Sequence, residues 1–361
     1  MKAAILIPNI ASRDAVGADA MAMFRILVDA GIETRIFCDA AGDIGERTYP
    51  AERLPSFAGG SGDLVIYHYS MGWKKGIDLL GRCRGFRVVK YHNVTPPEFF
   101  EGIAEDYVAA CRGGRDEIAA IATLGCELYL GASAYNLAEL VEAGLPAERG
   151  GVLAPFHRID ELAEADADLD LIDELDDGAK NFLMVGRIAP NKGHVALVDA
   201  FAAYVDAYGD PARLVILGKI DPRLATYTDR IRARIDHHRL GGRVRWINGA
   251  SEGQLKAAYL ASHVFMLLSE HEGFCVPLAE SMALGTPIVA RATSAIPETL
   301  ADAGLSWDGA DPYLYAASAA RVFGDGDLRA TLREAASRRY QSTYASRVLR
   351  ERFLRYLEPV L

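Results

Sequence analysis

Short apolar runs alternate with amphipathic stretches along the whole chain, and this rhythm constrains the fold more than any other feature of the sequence. Apolar runs of strand length separated by helical patterns are typical of βαβ units, whose parallel strands form one sheet. Between two such runs, Val198, Phe201 and Val205 recur at the three- and four-residue spacing of a helical apolar face. The predicted strands cover residues 3–8, 33–38, 63–69, 87–92, 128–133, 151–156, 181–186, 213–218, 244–248, 263–269 and 287–291.

The length of 361 residues exceeds one ordinary core and predicts two domains. Residues 161–178, rich in Asp, Glu, Ala and Leu, predict an acidic linker between a first domain at 1–160 and a second at 179–336. An amphipathic helix is expected over 337–361, where it has to dock on a domain that is already built. The expected fold class is therefore α/β, with two doubly wound, Rossmann-like domains facing across a cleft and ligands at the carboxyl ends of the strands.

Composition narrows the class of protein. The formal net charge of −10 argues against nonspecific binding of nucleic acid. The five cysteines are odd in number and lack a C-x-x-C pair, which favours reduced thiols in a cytoplasmic protein. The apolar runs are far shorter than a membrane span, and Pro8 ends the first of them, so a first strand is expected rather than a signal peptide.

One stretch of the first half is basic, with cations at Lys74, Lys75, Arg82, Arg84, Arg87 and Lys90. Such a run usually belongs to an ordinary solvated face. The alternative is a surface that meets anionic lipid headgroups or a phosphorylated acceptor, as a peripheral contact at the inner face of the membrane.

Two acidic residues mark the most informative segment, residues 270–287. Glu272 lies on a loop after an apolar strand, and Glu280 lies about one turn into the helix that Pro277 opens and Gly285 ends. The two carboxylates can enter one crevice while they reach different hydroxyls of a ligand. Free N–H groups at the helix start, beside Gly273, can hold phosphate or sugar oxygens.

Two cations mark the second segment, Val185-Gly186-Arg187-Ile188-Ala189-Pro190-Asn191-Lys192-Gly193-His194. A predicted strand delivers Arg187 to its carboxyl end, and a helix begins near Lys192. Two cations beside a helix N-terminus suit a pyrophosphate, whose charge grows as it departs. The segment is not a Walker loop because Lys192 precedes Gly193, and the chain has no convincing G-x-G-x-x-G fingerprint.

These motifs together resemble the donor-binding half of the family 4 (group 1) glycosyltransferases. The resemblance rests on Gly-Arg at a strand end, Lys-Gly after it, and E-x7-E inside E-G-F-C-V-P-L-A-E-S-M-A-L-G-T-P at residues 272–287. It continues at Pro297-Glu298 and implies the two-lobed GT-B fold, with the closing helix crossing back to the first domain. It also implies that Arg187 and Lys192 hold the donor diphosphate.

The resemblance assigns the remaining donor contacts residue by residue. Glu280 is expected at the ribose hydroxyls, and Glu272 at the donor sugar together with the N–H groups of Gly273, Phe274 and Cys275. The nucleotide base is expected near Gly218, Lys219, Asn248 and Gly249, although the loop at 248–250 is shorter than the usual pattern.

The first half resembles the family more loosely. Tyr91-His92-Asn93-Val94-Thr95-Pro96 is similar to a segment of members that build bacterial polysaccharides, which implies that His92 lines the cleft near the transferred sugar. Gly17 matches the first loop, where backbone approaches the diphosphate or the acceptor. Acceptor contacts are expected at strand and loop ends, with helix capping as the alternative for Asp14 and Ser133, at residues Asp14, Tyr67, His68, Ser133 and Asn136.

The expected activity is metal-independent transfer of a sugar, with retention, from a nucleotide diphosphate sugar to a glycan or lipid-linked glycan. The chain has no D-x-D at a strand end, since Asp166, Asp168 and Asp170 lie in the acidic stretch, so protein cations would replace a divalent ion. The resemblance favours bacterial cell-envelope polysaccharide synthesis with a GDP-mannose or UDP-hexose donor. The alternatives are a catalytically silent nucleotide-sugar-binding scaffold and a sugar epimerase on the same fold.

Overall fold

The computed structural model describes residues 1–11 and 14–361, and these divide into two compact units. Unit 1 comprises Met1–Glu98, Asp106–Arg158 and Ala345–Leu361, whereas unit 2 comprises Phe99–Glu105 and Ile159–Tyr344.

Unit 1 is built on a seven-stranded, wholly parallel sheet in the order β5-β3-β1-β6-β7-β8-β9, and a separate pair joins β2 to β4. Its strands are β1 Lys2–Leu6, β2 Asn9–Ile10, β3 Glu33–Cys38, β4 Ala40–Ala41, β5 Thr48–Pro50, β6 Leu64–Tyr69, β7 Phe86–Tyr91, β8 Leu128–Gly131 and β9 Gly150–Val152. The connecting helices are α1 Ala15–Asp29, α2 Leu54–Phe57, α3 Lys74–Arg82, α4 Glu105–Asp116, α5 Ile118–Ala122 and α6 Ala134–Glu142.

Unit 2 repeats this plan with a six-stranded parallel sheet in the order β12-β11-β10-β13-β14-β15. Its strands are β10 Lys180–Val185, β11 Ala212–Leu217, β12 Val244–Ile247, β13 Val264–Leu267, β14 Ile288–Arg291 and β15 Leu305–Trp307. Its helices are α7 Ile159–Glu164, α8 Leu169–Leu175, α9 His194–Tyr208, α10 Ala225–His237, α11 Glu252–Leu260, α12 Val276–Leu284, α13 Ile296–Leu300, α14 Pro312–Gly324 and α15 Gly326–Arg339.

Each sheet has one point at which the strand order reverses. The first strand of unit 1, β1, lies between β3 and β6, and the first strand of unit 2, β10, lies between β11 and β13. Helices cover both faces of such sheets, so the strands are apolar almost throughout. Ligands of doubly wound sheets bind at the carboxyl ends of the strands beside the reversal. The two-domain α/β fold expected from the sequence is confirmed.

The acidic stretch at 161–178 differs from the expected linker, because it packs as part of unit 2. It overlaps α7 and contains α8, whose Leu171 and Leu175 are buried. The Lys256 ammonium donates to the carbonyls of Ala163 and Ala165 at 2.6 and 2.7 Å. The stretch therefore has a small apolar face that packs against the rest of unit 2, and its many carboxylates made this face hard to detect in the sequence.

The closing segment also differs in detail from the single helix expected over 337–361. Helix α15 runs into a π-helical turn, Tyr340–Tyr344, and a separate helix, α16, covers Ser346–Leu357. Tyr344 belongs to unit 2, where its hydroxyl donates to the Thr299 carbonyl at 3.0 Å. Helix α16 belongs to unit 1, as the crossing-back prediction requires, and its Tyr356 hydroxyl accepts the N–H of Val152 at 3.1 Å.

Candidate functional site

The predicted donor residues of unit 2 follow four neighbouring strands at the same edge of the sheet. Arg187 and Lys192 follow β10, Gly218 and Lys219 follow β11, Asn248 and Gly249 follow β12, and the segment from Glu272 to Glu280 follows β13. Because these strands are parallel, their carboxyl ends lie together beside the reversal of strand order between β11, β10 and β13.

A charged pair joins the loops after β10 and β13. The Lys192 ammonium lies 2.8 and 2.7 Å from the two carboxylate oxygens of Glu272. The Glu272 side chain is 5% exposed and that of Lys192 is 21% exposed. Such a short, largely desolvated pair is stronger than a surface salt bridge, since water screens it less. The pair brings together the two residues that the sequence singled out for phosphate and sugar binding.

The backbone around Lys192 is fixed by its contacts with the β13 loop. Gly193 has φ of +67°, and a Cβ at this position would lie 1.9 Å from the carbonyl oxygen of Leu268. Asn191 accepts the N–H of Glu270 at 2.8 Å through its carbonyl, and its side-chain amide donates to the carbonyl of His271 at 3.1 Å. These contacts require glycine after Lys192 and hold the two loops in one arrangement.

The start of α12 is the second feature of this edge. Its N-cap, Cys275, has a left-handed backbone with φ of +76°, which a non-glycine residue adopts only under constraint. Within residues 14–361 the N–H groups of Phe274 and Cys275 make no hydrogen bond. The Thr299 hydroxyl donates to the Phe274 carbonyl at 2.9 Å and the Ser294 hydroxyl accepts the Glu272 N–H at 2.7 Å. Free N–H groups at a helix start attract anionic or hydroxyl oxygens.

Glu280 lies in the second turn of α12 and is partly buried. Its carboxylate accepts a hydrogen bond from the Tyr259 hydroxyl at 2.8 Å. Burial raises the pKa of Glu280 to about 7, and the bond from Tyr259 acts in the opposite direction. The carboxyl group therefore changes its charge near neutral pH, and only its ionised form is purely an acceptor of hydrogen bonds.

The residues expected at the nucleotide base are the outermost of the set. The Asn248 side chain accepts the N–H of Ile220 at 3.0 Å, which ties the loop after β12 to the loop after β11. Lys219 is exposed, and its carbonyl accepts the N–H of Ile188 at 3.1 Å. Arg187 is also exposed. At this end of the site the loops are therefore held by hydrogen bonds, and the side chains of Arg187 and Lys219 are exposed to solvent.

Two of the expected acceptor residues of unit 1 are helix caps. Asp14 caps α1 by accepting the N–H of Gly17 at 3.1 Å, and Ser133 caps α6 by accepting the N–H of Asn136 at 3.2 Å. Gly17 has a packing reason to be glycine, because a Cβ there would lie 2.3 Å from the Ala11 carbonyl oxygen. Both side chains therefore make the contact that the capping alternative predicts.

Two other expected acceptor residues are buried in unit 1. Tyr67 is fully buried among the aromatic rings of Tyr69 and Trp73, so it offers no surface to an acceptor here. Asn136 is fully buried as well, and it accepts a hydrogen bond from the Asn93 amide at 3.1 Å. This burial follows from strand and helix faces that turn toward the core, and both acceptor assignments stay predictions.

His68 and His92 form a cluster with two residues that the sequence reasoning missed. His68 is fully buried, and its Nδ1 lies 3.0 Å from Nε2 of His92. Asp19 of α1 and Lys90 of β7 are fully buried beside them. A lysine inside the apolar run of a central parallel strand was the signal that could have revealed this cluster.

Three of the six cations in the basic stretch of unit 1 are paired with carboxylates or buried. Lys75 pairs with Asp39 and with Glu52, Arg87 binds the Glu127 carboxylate, and Lys90 is buried. These pairs favour an ordinary solvated face. Among the described residues, no helix combines the length and the apolar character needed to cross a membrane.

The class follows from the two doubly wound units and from the polar residues at the strand ends of unit 2: the chain has the GT-B fold of glycosyltransferases. The structure of Anabaena Alr3699/HepE in complex with UDP and glucose is similar over 99% of this chain and 100% of that chain, with a TM-score of 0.77 and 15% identity. Sucrose-phosphate synthase from Thermosynechococcus elongatus is similar over 100% and 99%, with a TM-score of 0.77 and 18% identity.

Residues 171–339 match the family model described as glycosyl transferases group 1. This match lies within unit 2 and confirms the resemblance inferred from the sequence. D-inositol 3-phosphate glycosyltransferase of Corynebacterium glutamicum (strain R) is 30% identical over 153 residues, 42% of this chain and 36% of the relative. Serotype-specific mannosyltransferase WbdA of Escherichia coli is 29% identical over 113 residues, 31% of this chain and 13% of the relative. These matches span little more than a third of the curated relatives at most.

Proposed function

We propose that the chain transfers a sugar from a nucleotide diphosphate sugar to a hydroxyl of a glycan or lipid-linked glycan, with retention of the anomeric configuration. The observation that carries the proposal is the Lys192–Glu272 pair at the carboxyl edge of the unit 2 sheet. A diphosphate brings a stronger anionic partner for Lys192 than one carboxylate. The ammonium would then turn to the diphosphate, and Glu272 would be released to accept a hydroxyl of the donor sugar.

The proposed mechanism is a front-face displacement through an oxocarbenium-like state. Lys192 and Arg187 neutralise the charge that grows on the departing diphosphate. The bond from the anomeric carbon to the phosphate oxygen breaks, the acceptor oxygen forms the new bond on the same face, and the departing phosphate takes the acceptor proton. His92 of unit 1 contacts the transferred sugar, as the family resemblance implies. A glycosyl-enzyme adduct trapped by mass spectrometry would overturn this mechanism.

We further propose that no divalent ion acts at the diphosphate. Two protein cations supply the neutralisation, and the Asp-rich stretch has another task, since Asp168 caps α8 by accepting the N–H of Leu171 at 2.9 Å. Turnover should therefore continue in excess EDTA. Loss of turnover in EDTA and its recovery with Mg²⁺ or Mn²⁺ would contradict the proposal.

The proposed donor is of the GDP-mannose or UDP-hexose type, and the proposed setting is the synthesis of bacterial cell-envelope polysaccharide. The mannosyltransferase among the relatives supports the first donor, and the UDP complex of a protein of similar fold supports the second. The rivals are a silent nucleotide-sugar-binding scaffold and a sugar epimerase, which would act on the donor without an acceptor.

Thermal melting with UDP, GDP, ADP, CDP and dTDP tests the donor site. At about one hundred times its dissociation constant a ligand adds roughly 2.7 kcal/mol, which raises the melting temperature visibly. One nucleotide should shift the wild type and Lys180→Ala, which lies at the opposite end of β10, but not Lys192→Ala. The absence of any shift in the wild type, or an undiminished shift in Lys192→Ala, would count against the site. Product analysis with the selected donor then separates transfer from epimerisation and from silent binding.

A further inference from the structure

Unit 1 holds a group of buried ionisable side chains at the carboxyl end of its sheet. His68 of β6 pairs in register with Lys90 of β7, and His92 follows two residues after Lys90, so all three share one face of the sheet. Asp19 of α1 faces them. The side chains of Asp19 and His68 are 0% exposed, and that of His92 is 6% exposed. Buried ionisable groups at the ligand-binding end of a sheet point to a functional role.

Three atoms of this group converge on one point. His92 Nε2 lies 3.0 Å from His68 Nδ1 and 3.4 Å from Asp19 Oδ2, and His68 Nδ1 lies 3.7 Å from Asp19 Oδ2. The other carboxylate oxygen of Asp19 accepts the N–H of Phe156 at 2.7 Å. Each converging atom can carry a lone pair, and three lone pairs facing one another repel. A positive centre, either a proton or a metal cation, has to lie among them.

The charge of Lys90 distinguishes between the proton and the metal cation. A point equidistant from the three atoms lies roughly 2 Å from each, a separation that zinc accepts. However, the Lys90 ammonium is fully buried, donates to the Leu153 carbonyl, and already offsets the charge of Asp19. A dication beside it would leave net positive charge in a desolvated pocket, which costs several kcal/mol per uncompensated ion. A shared proton leaves both rings neutral, so the proton is favoured.

The position of the proton follows from the distances. The ionised Oδ2 of Asp19 needs a donor, and His92 Nε2 is closer to it than His68 Nδ1. We infer that Asp19 and His68 hold His92 with its proton on Nε2, shared between Asp19 Oδ2 and His68 Nδ1, so that His92 Nδ1 presents a lone pair as a hydrogen-bond acceptor. Of the three side chains, only that of His92 has any exposure, which makes His92 the one that can meet a ligand.

The charges around the triad are consistent with neutral rings. Burial, reinforced by the Lys90 charge, lowers the pKa of His68 to about 3 and lowers that of His92 well below its ordinary value. Burial raises the pKa of Asp19 to about 6, so this carboxyl is ionised above neutral pH. Burial also lowers the pKa of Lys90 to about 8, and Asp19 opposes that shift. Near pH 7.5 Asp19 is therefore an anion, the rings of His68 and His92 are neutral, and Lys90 beside them is a cation.

The consequence for catalysis rests on the proposed function. A sugar hydroxyl can donate to the Nδ1 lone pair of His92, whereas the other tautomer would present an N–H there and reverse the hydrogen bond. Asp19 and His68 are thus positioning residues that act through His92. They select which hydroxyl orientation the ring accepts, without touching the sugar.

The tautomer can be measured without any assay of transfer. The full chain labelled with 15N-histidine is examined at pH 7.5 by long-range 1H–15N correlation, with His92 signals assigned through His92→Gln. In the wild type, Nε2 should show a protonated shift and Nδ1 an unprotonated one. In Asp19→Asn and in His68→Gln the His92 signals should move toward a mixture of tautomers. Asp29→Asn, at the other end of α1, should leave them unchanged.

Three results would overturn the inference. They are a wild-type proton on Nδ1, a His92 tautomer that neither substitution alters, and stoichiometric metal bound to the purified protein with loss of the free-imidazole signals. If Asp19→Asn fails to fold because Lys90 is left unpaired, the variant Asp19→Asn/Lys90→Met removes both charges and serves in its place.

Activity then separates this inference from the proposed function. With the selected donor, Asp19→Asn and His68→Gln should lower kcat roughly tenfold or more with donor KM changed less than about twofold. If His92 holds the single expected tautomer but the protein transfers no sugar, only the proposed function is refuted. Transfer that persists at the wild-type kcat in both variants would refute the positioning role.

Discussion

The Lys192–Glu272 pair allows a quantitative test of the candidate site that needs no substrate. We consider Lys192→Met, Glu272→Gln and the double variant. Removing one member of a buried pair costs about 3–5 kcal/mol when the other is left fully desolvated. Glu272 is 5% exposed and Lys192 is 21% exposed, so a stranded carboxylate finds less water than a stranded ammonium.

The expected costs are therefore unequal. Lys192→Met should lower the free energy of unfolding by about 3 kcal/mol, and Glu272→Gln by about 1 kcal/mol, because Lys192 can turn toward solvent. The double variant leaves no stranded charge and should cost about 1–2 kcal/mol, which gives a coupling energy of about 2–3 kcal/mol. For a unit of this size, 3 kcal/mol corresponds to a fall in melting temperature of roughly 6–12 °C.

Urea unfolding followed by tryptophan fluorescence provides the measurement. Trp246 and Trp307 lie in unit 2 and Trp73 lies in unit 1, so the signal reports chiefly on the unit that carries the pair. Unfolding of two units need not be a single transition, and the unit 2 step should be fitted separately. A coupling energy below about 0.3 kcal/mol, or a greater cost for Glu272→Gln than for Lys192→Met, would refute the geometry of the pair.

Two further predictions concern the same unit. Gly193→Ala should lower the free energy of unfolding by more than about 3 kcal/mol, because its Cβ would meet the Leu268 carbonyl. Gly209→Ala has the same φ of +67° but lies in open space, so it should cost only about 1 kcal/mol. Equal costs in chemical denaturation would contradict this account. Affinity for a nucleotide diphosphate sugar should fall about tenfold from pH 8 to pH 6, because Glu280 has a raised pKa of about 7 and becomes protonated as the pH falls through that value. A flat calorimetric profile, or an unchanged slope in Glu280→Gln, would exclude binding of the donor by the ionised Glu280.

The edge of the unit 2 sheet at which the candidate site residues lie was predictable from the sequence, because it depends only on the order of elements. Apolar runs identify parallel strands, and parallel strands bring their carboxyl ends to one edge. Polar residues in the loops that follow such runs therefore lie at that edge, as Arg187, Lys192 and Glu272 do. Capping glycine and proline fixed the bounds of α12 in the same way, since Gly285 ends the helix.

The direction of a side chain was harder to predict than its position along the chain. Tyr67 lies inside β6, two residues before its end, and its side chain is buried because helices cover both faces of the sheet. Asp14 and Ser133 lie at loop ends, where capping a helix and binding a ligand call for the same side chain. The sequence pattern alone does not distinguish these uses, because both need a short side chain with a free oxygen at a loop end.

The buried charges show where local pattern and tertiary structure conflict most. Asp19 occupies an otherwise apolar helix face and Lys90 an otherwise apolar strand, and each would be costly to bury alone. They become tolerable only together, because the fold brings Asp19 close enough to Lys90 for the two charges to compensate. A chain under selection for stability alone would replace both with apolar residues at little cost. Their presence beside His68 and His92, at the carboxyl end of the unit 1 sheet, is therefore better explained by the positioning role that we infer than by stabilisation of the core.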